Sequence, residues 1–303
     1  MALKNSVKFN EKGEFIFKES FKNKFFEKKD STLKIILIYF VLLVMCFITV
    51  YPLISIVTVS LRPGNELFQS NLRIIPEHAT LSNFKNAIFE KDLLLWMRNS
   101  LIVSVLTGIF GVILATTAGY AYSRFKFFAD RGTLTVFLLT QIFPAPMLLL
   151  PTFILLAKLH LLNSFLGLLI PYTATAVPFC VWMLKGFFDT IPRSLEESAY
   201  IDGAGIFRTF VTIILPLSKP ALAITVLFSF MTAWNEYIIS RVIITKSQMY
   251  TLPVGLVGMQ SQFNTEWGVY AASAILTAIP AMILFMSLSK FLVGGLTVGS
   301  VKG

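Results

Sequence analysis

Residues 35–60 read IILIYFVLLVMCFITVYPLISIVTVS, an uninterrupted apolar run without a charged side chain. A helix needs about 20 mostly apolar residues to cross the hydrocarbon core of a bilayer, so this run is long enough. It follows a long basic segment, residues 1–34, and no small-residue cleavage site interrupts it. The run therefore predicts a retained membrane-spanning helix and not a signal peptide.

The composition of the whole chain agrees with a membrane protein. Of 303 residues, 55% are hydrophobic and only 14% are charged, and the mean hydropathy is +0.74. Soluble domains carry about 25% charged residues, so much of this surface is expected to face lipid. The net charge of +10 lies mainly outside the apolar runs, which indicates membrane orientation and excludes a nucleic-acid partner.

Five further apolar runs follow the first. None alternates with period two, which favours helices over barrel strands. The sequence thus predicts an all-α integral membrane fold with a six-helix permease domain at 35–292, between a basic tail at 1–34 and a C-terminal tail at 293–303. The predicted spans are 35–60, 99–122, 133–157, 165–188, 221–239 and 267–292. In the second span, Gly111, Ala115 and Gly119 recur every four residues and predict close helix packing.

The distribution of basic residues predicts the orientation. With the N-terminus in the cytoplasm, 18 of the 26 Lys and Arg lie in the tail, the 123–132 loop, the 185–219 loop and the C-terminus. Both termini are therefore expected to be cytoplasmic. Within the tail, Phe17, Phe21 and Phe25 indicate either an interfacial helix on anionic lipid or a frayed basic segment.

The cytoplasmic connection at 189–219 contains two short helical patterns. Its sequence, continued to residue 220, is DTIPRSLEESAYIDGAGIFRTFVTIILPLSKP. Ser194 and Glu197 form an S-x-x-E capping box, and Gly203 with Gly205 is expected to end the first helix. The second helix, 206–214, is expected to stop at Pro216.

One face of the first short helix is suited to close contact. Leu195, Ala199 and Asp202 share that face by their spacing, and the small side chain of Ala199 permits near approach. The helix is either a docking element for a partner protein or an ordinary surface helix that joins two spans.

Sequence signatures of catalysis are absent. The chain lacks G-x-x-x-x-G-K-[ST], H-E-x-x-H and G-x-S-x-G, so no ATP hydrolysis or other enzymatic activity is expected. Cys46 and Cys180 are lone thiols in apolar runs, and His78 and His160 are far apart in the chain. No metal or cofactor is therefore expected on this chain.

Two polar segments are candidates for a translocation path. In the third span, Gln141 and Pro144 precede further prolines that bend a helix, which indicates either a cavity wall or a kinked packing helix. Near the outer end of the fifth span, Asn235 and Glu236 either line the path or lie at the interface near Arg241.

The 189–219 loop resembles the loop of ATP-binding-cassette importer permeases, written E-A-A, three residues, G, nine residues, I, one residue, L-P. Every spacing matches, and only Ser198 departs, where the family has Ala. The matching residues are Glu197, Ser198, Ala199, Gly203, Ile213, Leu215 and Pro216. Segments 60–65, 123–127, 250–268 and 291–303 also resemble the MalG-like permeases of maltose/maltodextrin importers.

This resemblance implies a loop that couples the spans to an ATPase dimer, on which Mg-ATP is bound. The implied coupling residues are Ser194, Leu195, Glu197, Ser198, Ala199, Asp202, Gly203, Ile213, Leu215 and Pro216. It also implies a second, MalF-like permease and an extracytoplasmic sugar-binding protein, which would contact Tyr250, Gly255, Gln260 and Asn264. The expected cargo is an oligosaccharide, with maltose or maltodextrin first. The alternatives are an ion-coupled secondary transporter or channel, and a membrane scaffold or receptor.

Overall fold

The computed structural model describes residues 8–9, 15–16, 32–64, 76, 78–127, 130–260 and 265–298. The chain divides into two units, residues 1–54 and 55–303. In the first unit, strand β1 (Lys8–Phe9) pairs antiparallel with β2 (Phe15–Ile16), a short hairpin in an otherwise helical described fold. Phe17, Phe21 and Phe25, the residues of the predicted interfacial helix, lie outside the described residues.

Twelve helices account for most of the described chain. Their bounds are α1 Thr32–Ser60, α2 Ser82–Phe89, α3 Leu93–Arg124, α4 Asp130–Thr140, α5 Ala145–Lys158, α6 Phe165–Asp189, α7 Ser194–Ile201, α8 Ile206–Leu217, α9 Lys219–Trp234, α10 Ile238–Ile243, α11 Leu252–Gly258 and α12 Trp267–Val298. A single 3₁₀ turn, Ser247–Met249, lies between α10 and α11.

Four of these helices, α1, α3, α6 and α12, are long and apolar enough to cross a membrane. A fifth span results if α8 and α9 are counted together, although they meet at an angle of 83°. The described residues therefore contain four or five spans of this kind, where the sequence predicted six.

The predicted third span, 133–157, is two helices and not one. Helix α4 has 11 residues and α5 has 14, so at 1.5 Å per residue neither alone crosses a core about 30 Å thick. The break comes at 141–144, where Pro144 is extended, with ψ at 131°. Pro146 in the first turn of α5 and the restriction that Pro144 places on Phe143 account for the interruption.

The sequence predicts that the second helix of the 189–219 loop stops at Pro216, and the structure shows that it does not. Helix α8 runs through this proline to Leu217, because its turns at Phe210–Ile214 are π-helical. A wider turn relieves the clash that a proline ring makes with the carbonyl four residues earlier. The chain bends at Ser218 instead, and the predicted fifth span, 221–239, is α9 followed by the separate helix α10.

Helix α3 is the centre of the bundle, and it packs along α6 and α9. The predicted small-residue stripe lies at these contacts, which confirms its role. A Cβ atom on Gly111 would meet Ser229 Oγ at 2.6 Å, and one on Gly119 would meet Leu184 Cβ at 3.1 Å. Ala115 between them is fully buried. Small side chains thus let three helix backbones approach closely.

An apolar cluster joins the C-terminal ends of α3 and α6 to the loop that follows. It contains Tyr120 from α3, Phe188 from the end of α6, Ile191 from the segment after α6, and Phe210 and Ile214 from α8. The ring of Tyr120 lies 4.7 Å from that of Phe210, centroid to centroid. This cluster places α8 against the ends of two spanning helices.

Candidate functional site

Helix α7 ends in a cap that requires a left-handed residue. Gly203 has φ of +83°, its amide donates to the carbonyl of Tyr200 at 3.0 Å, and the amide of Ala204 donates to that of Ala199 at 2.9 Å. This pair of bonds is the Schellman motif, which satisfies carbonyls that a helix end leaves free. The prediction that Gly203 ends the helix is confirmed, and its physical basis is the backbone angle.

The predicted capping box does not form at the other end of α7. Arg193 precedes the helix with helical angles, φ −63° and ψ −26°, and no side-chain cap bond is made there. A capping residue needs extended backbone, whereas this chain is already turned from Pro192 onward, where the amide of Leu195 reaches the carbonyl of Pro192 at 3.3 Å. The hydroxyl of Ser198 instead donates to the carbonyl of Ser194 at 2.9 Å.

The face that α7 turns toward the spans also differs from the predicted one. Glu196 and Ala199 are buried, whereas Leu195 and Asp202 are exposed. The predicted face of Leu195, Ala199 and Asp202 is therefore split, and the contact surface is one residue out of register. The cause is a polar contact that the spacing of apolar residues could not indicate.

That contact is a buried ion pair between α7 and the end of α3. Nε of Arg124 donates to Oε1 of Glu196, and the two side chains are 7% and 5% exposed. Tyr120 donates its hydroxyl proton to Oε2 of Glu196 at 2.7 Å. Both carboxylate oxygens are thus bound to groups on α3, one turn apart.

The remaining donors of Arg124 bind the segment between α6 and α7. Nη2 donates to the carbonyl of Ile191 at 3.1 Å, and Nη1 donates to the hydroxyl of Ser123 at 2.9 Å. Arg193, just before α7, adds a second bond to α3, because its Nη2 donates to the carbonyl of Ser123 at 3.1 Å. One guanidinium therefore connects α3, the end of α6 and α7.

The opposite side of this loop is apolar and uncovered. Ile201 is 87% exposed and Phe207 is 78% exposed, and Leu195 and Ile206 are also exposed. We call these four residues the apolar loop face. Large exposed apolar side chains on a folded element mark a surface for a partner.

The other predicted loop residues take different positions. Glu197, Ser198 and Pro216 are exposed, whereas Ile213 and Leu215 are half-buried. The anchor of α8 is Ile214, which is fully buried, next to Phe210.

The candidate path residues are only partly brought together. Glu236 accepts a bond from the Tyr172 hydroxyl at 2.7 Å and caps α10 by accepting from the amides of Ile239 and Ser240 at 2.7 and 3.0 Å. Gln141 and Pro144 are exposed in the break between α4 and α5, and Asn235 is exposed beside Glu236. Among the described residues, no hydrogen bond joins Gln141 to this group.

Arg241, the expected neighbour of Glu236, bonds elsewhere. It donates from Nη1 to the hydroxyl of Tyr250 at 3.3 Å. The buried Asn99 holds the same segment, because its Nδ2 donates to the carbonyls of Gln248 and Tyr250 at 2.9 and 3.0 Å. Tyr250 is therefore tied to α3 and α10.

The other residues that are expected to contact a sugar-binding protein, Gly255, Gln260 and Asn264, differ in their exposure. Gly255 is buried, and a Cβ there would meet the ring of Trp96 at 2.1 Å, so Gly255 serves helix packing and has no surface for a partner. Gln260 is exposed and donates to the Tyr270 hydroxyl at 2.8 Å. Asn264 lies outside the described residues.

Comparison with known proteins decides the family. The family of binding-protein-dependent transport system inner membrane components matches residues 108–298. The chain belongs to this family. It is thus a multi-pass permease of the bacterial plasma membrane, and the matched residues include α6, α7, α8 and α9.

Similar permeases serve several sugars. The galactooligosaccharides permease GanQ of Bacillus subtilis is 36% identical over 275 residues, 89% of this chain and 96% of the relative. The maltodextrin permease MalD of Streptococcus pneumoniae is 35% identical over 269 residues, 88% and 95%. The diacetylchitobiose permease DasC of Streptomyces coelicolor is 34% identical over 254 residues, 84% and 92%.

A solved structure has a similar fold. It is a bacterial ABC transporter involved in the import of the acidic polysaccharide alginate, with a TM-score of 0.77. The match covers 88% of this permease and 98% of that chain, at 23% identity. At that identity the likeness establishes the fold alone.

Three residues of the permease that matter to the loop were missed in the sequence. Tyr120 lies 76 residues before Glu196 and Arg124 lies 72 residues before it, so no local sequence pattern connects them. The available signal was Glu196 beside Glu197, two carboxylates in the first turn of a short helix, and the basic residue at the end of an apolar span.

Proposed function

We propose that this permease is one of two membrane-spanning subunits of an importer that is driven by ATP hydrolysis on separate subunits. The observation that carries the proposal is the α7–α8 segment, which is bound to the ends of two spans on one side and presents the apolar loop face on the other. The sequence contains no G-x-x-x-x-G-K-[ST] phosphate-binding loop, so the proposal assigns ATP hydrolysis to the partner that binds this surface. Family membership supports the same reading and does not favour an ion-coupled transporter or channel.

In this proposal α7 and α8 couple the spans to a dimer of ABC ATPases, with both termini in the cytoplasm. Leu195 and the exposed polar residues Glu197, Ser198 and Asp202 face the ATPase. Ala199 permits close packing and Gly203 caps the helix. Ser194 begins the helix, and Ile213, Leu215 and Pro216 carry the movement along α8 toward α9.

The permease itself binds no nucleotide, and Mg-ATP belongs to the ATPase dimer. A second, MalF-like permease completes the translocation path. An extracytoplasmic sugar-binding protein delivers the cargo to the outer segment that contains Tyr250, Gln260 and Asn264. The anchoring of Tyr250 by Asn99 and Arg241 supports a preformed contact surface there.

The cargo is an oligosaccharide, and maltodextrin is the first to test. The relatives named above carry galactooligosaccharides, maltodextrin and diacetylchitobiose, all of which are saccharides. Asn235 and Glu236 supply polar groups toward such a path, and the break with Gln141 and Pro144 supplies a second wall. Saccharide hydroxyls are suited to amide and carboxylate partners of this kind.

The test is isolation of the permease from its native membrane, followed by reconstitution in liposomes. We expect an ABC ATPase and a second permease to co-purify, and maltodextrin uptake to need both ATP and the binding protein. A non-hydrolysable nucleotide should abolish the uptake. Uptake by the isolated permease under an ion gradient without ATP would overturn the proposal. Uptake of another oligosaccharide but not maltodextrin would overturn only the choice of cargo.

A further inference from the structure

We propose that Glu196 is the positioning residue that makes α7 move as one body with the ends of α3 and α6. This inference rests on the proposed function, since it concerns how force at the loop reaches the spans. It separates two adjacent glutamates: Glu197, which belongs to the E-A-A pattern, and Glu196, which that pattern does not include. Glu197 lies on the surface, whereas Glu196 is the residue bound to α3.

The geometry makes this contact rigid in two directions. Arg124 and Tyr120 bind different oxygens of the Glu196 carboxylate, so neither rotation nor sliding of α7 preserves both bonds. Charge-assisted hydrogen bonds are the stronger kind, and this pair is almost completely removed from solvent. Separating α7 from α3 would break an ion pair that the packed helices shield from water, and both hydrogen bonds to the carboxylate would be lost.

The second helix of the loop, α8, also contacts this site. The ring of Tyr120, whose hydroxyl binds Glu196, packs against Phe210 in the π-helical turns of α8, with centroids 4.7 Å apart and ring planes tilted by 44°. It also meets Phe188 at the end of α6 edge to face, with ring centroids 6.2 Å apart. Displacement of α7 therefore acts on α3 and α6 through Arg124 and on α8 through Tyr120.

A second ion pair near this site differs from the Arg124–Glu196 pair in its exposure and in the elements it joins. Lys185 and Asp189 lie four residues apart on α6 at 2.6 Å, and their side chains are 33% and 39% exposed. Lys185 binds Oδ2 of Asp189, whereas the hydroxyl of Ser123 on α3 donates to Oδ1 at 2.7 Å, and neither bond includes α7. Lys185→Gln is a matched control, because it removes an ion pair near the same end of the bundle and leaves the Ser123–Asp189 bond and the contacts of α7 in place.

The experiment uses the complete transporter in liposomes and measures sugar transported per ATP hydrolysed. Four variants are compared with the wild type: Glu196→Gln, the neutral double variant Arg124→Gln/Glu196→Gln, Tyr120→Phe, and the control Lys185→Gln. The double variant leaves no unpaired charge at this site, so it is the variant to compare if the single variant does not fold. The coupling ratio divides the transport rate by the ATP hydrolysis rate of the same complexes, so it is insensitive to the amount of folded protein.

We expect both Glu196 variants to retain the ATPase subunits in a pull-down but to transport about 2- to 30-fold less sugar per ATP, the range typical of residues within a coupling network. Lys185→Gln should keep the wild-type ratio. Tyr120→Phe, which removes one bond and keeps the ring, should fall between.

The inference is overturned if the double variant keeps the wild-type ratio, or if the Glu196 variants lose the ATPase subunits, since Glu196 would then serve docking. Failure of the proposed function is distinguishable, because the wild-type permease would then recover no ATPase and show no ATP-dependent uptake.

Discussion

Replacement of Gly203 by serine tests the geometry of the loop most directly. The φ of +83° at Gly203 lies in the left-handed region, where an L-residue costs roughly 1–2 kcal/mol. No atom lies within 4 Å of a Cβ built on Gly203, so the backbone angle is the whole penalty. A penalty of that size changes the ratio of closed to open cap by a factor of about 5–30.

Gly205 supplies the matched control two residues later. It has φ of −76°, a Cβ there also meets nothing within 4 Å, and it precedes α8 in the capping position. Serine is favourable at that position, so Gly205→Ser should leave the loop as stable or slightly more stable. The same substitution is thus expected to act at one glycine and not at the other.

The assay is hydrogen exchange of residues 194–204 in lipid nanodiscs. For Gly203→Ser, exchange near the end of α7 should become about 5- to 30-fold faster, because local opening sets the rate. Gly203→Asn should lie nearer the wild type, since asparagine tolerates the left-handed region. Equal effects at Gly203 and Gly205, or no effect at Gly203, would refute the assignment of the cap.

Three further predictions follow from contacts elsewhere in the bundle. Tyr172→Phe removes the bond to the Glu236 carboxylate and should destabilise the permease by about 1.5–3 kcal/mol, the range for hydrogen bonds to charged groups; an unchanged Tm in detergent would contradict that bond. Gly255→Ala places a methyl group 2.1 Å from the ring of Trp96 and should cost about 1–3 kcal/mol by overpacking. The smaller ring of Trp96→Phe should restore part of the lost Tm, and failure of this rescue would locate the strain elsewhere. Phe207→Ser should leave the Tm unchanged, because the side chain is 78% exposed, but should reduce recovery of the ATPase in a pull-down; full recovery would remove Phe207 from the docking surface.

The predicted spans succeed where an apolar run is long and the helix continues through any proline it contains, as at Pro52, Pro171 and Pro280. The runs at 35–60, 99–122, 165–188 and 267–292 each fall within a single described helix. The run at 133–157 does not, because hydropathy records how apolar a segment is and gives no weight to the break at Pro144. Helix continuity depends on backbone angles that composition does not report.

The 189–219 loop shows the same division at the level of single residues. The spacing of residues in the sequence predicted the position of α7 and the glycine that ends it, because a left-handed cap depends on the local backbone alone. The spacing indicated Glu197 as the important glutamate and Ser194 as a capping residue. A short local pattern carries information about its own helix and none about contacts with other helices. The partners of Glu196 come from another helix and lie in no local pattern.

The sequence by itself determined the membrane class, most of the spanning helices and the position of the loop, because these depend on hydropathy, length and turn-forming residues within one segment. Only the tertiary structure decided which glutamate is buried, that Gly255 packs on Trp96 and that the chain bends at Ser218. Those outcomes depend on which side chains meet across helices. Burial and ion pairing are set by neighbours that are distant in the chain.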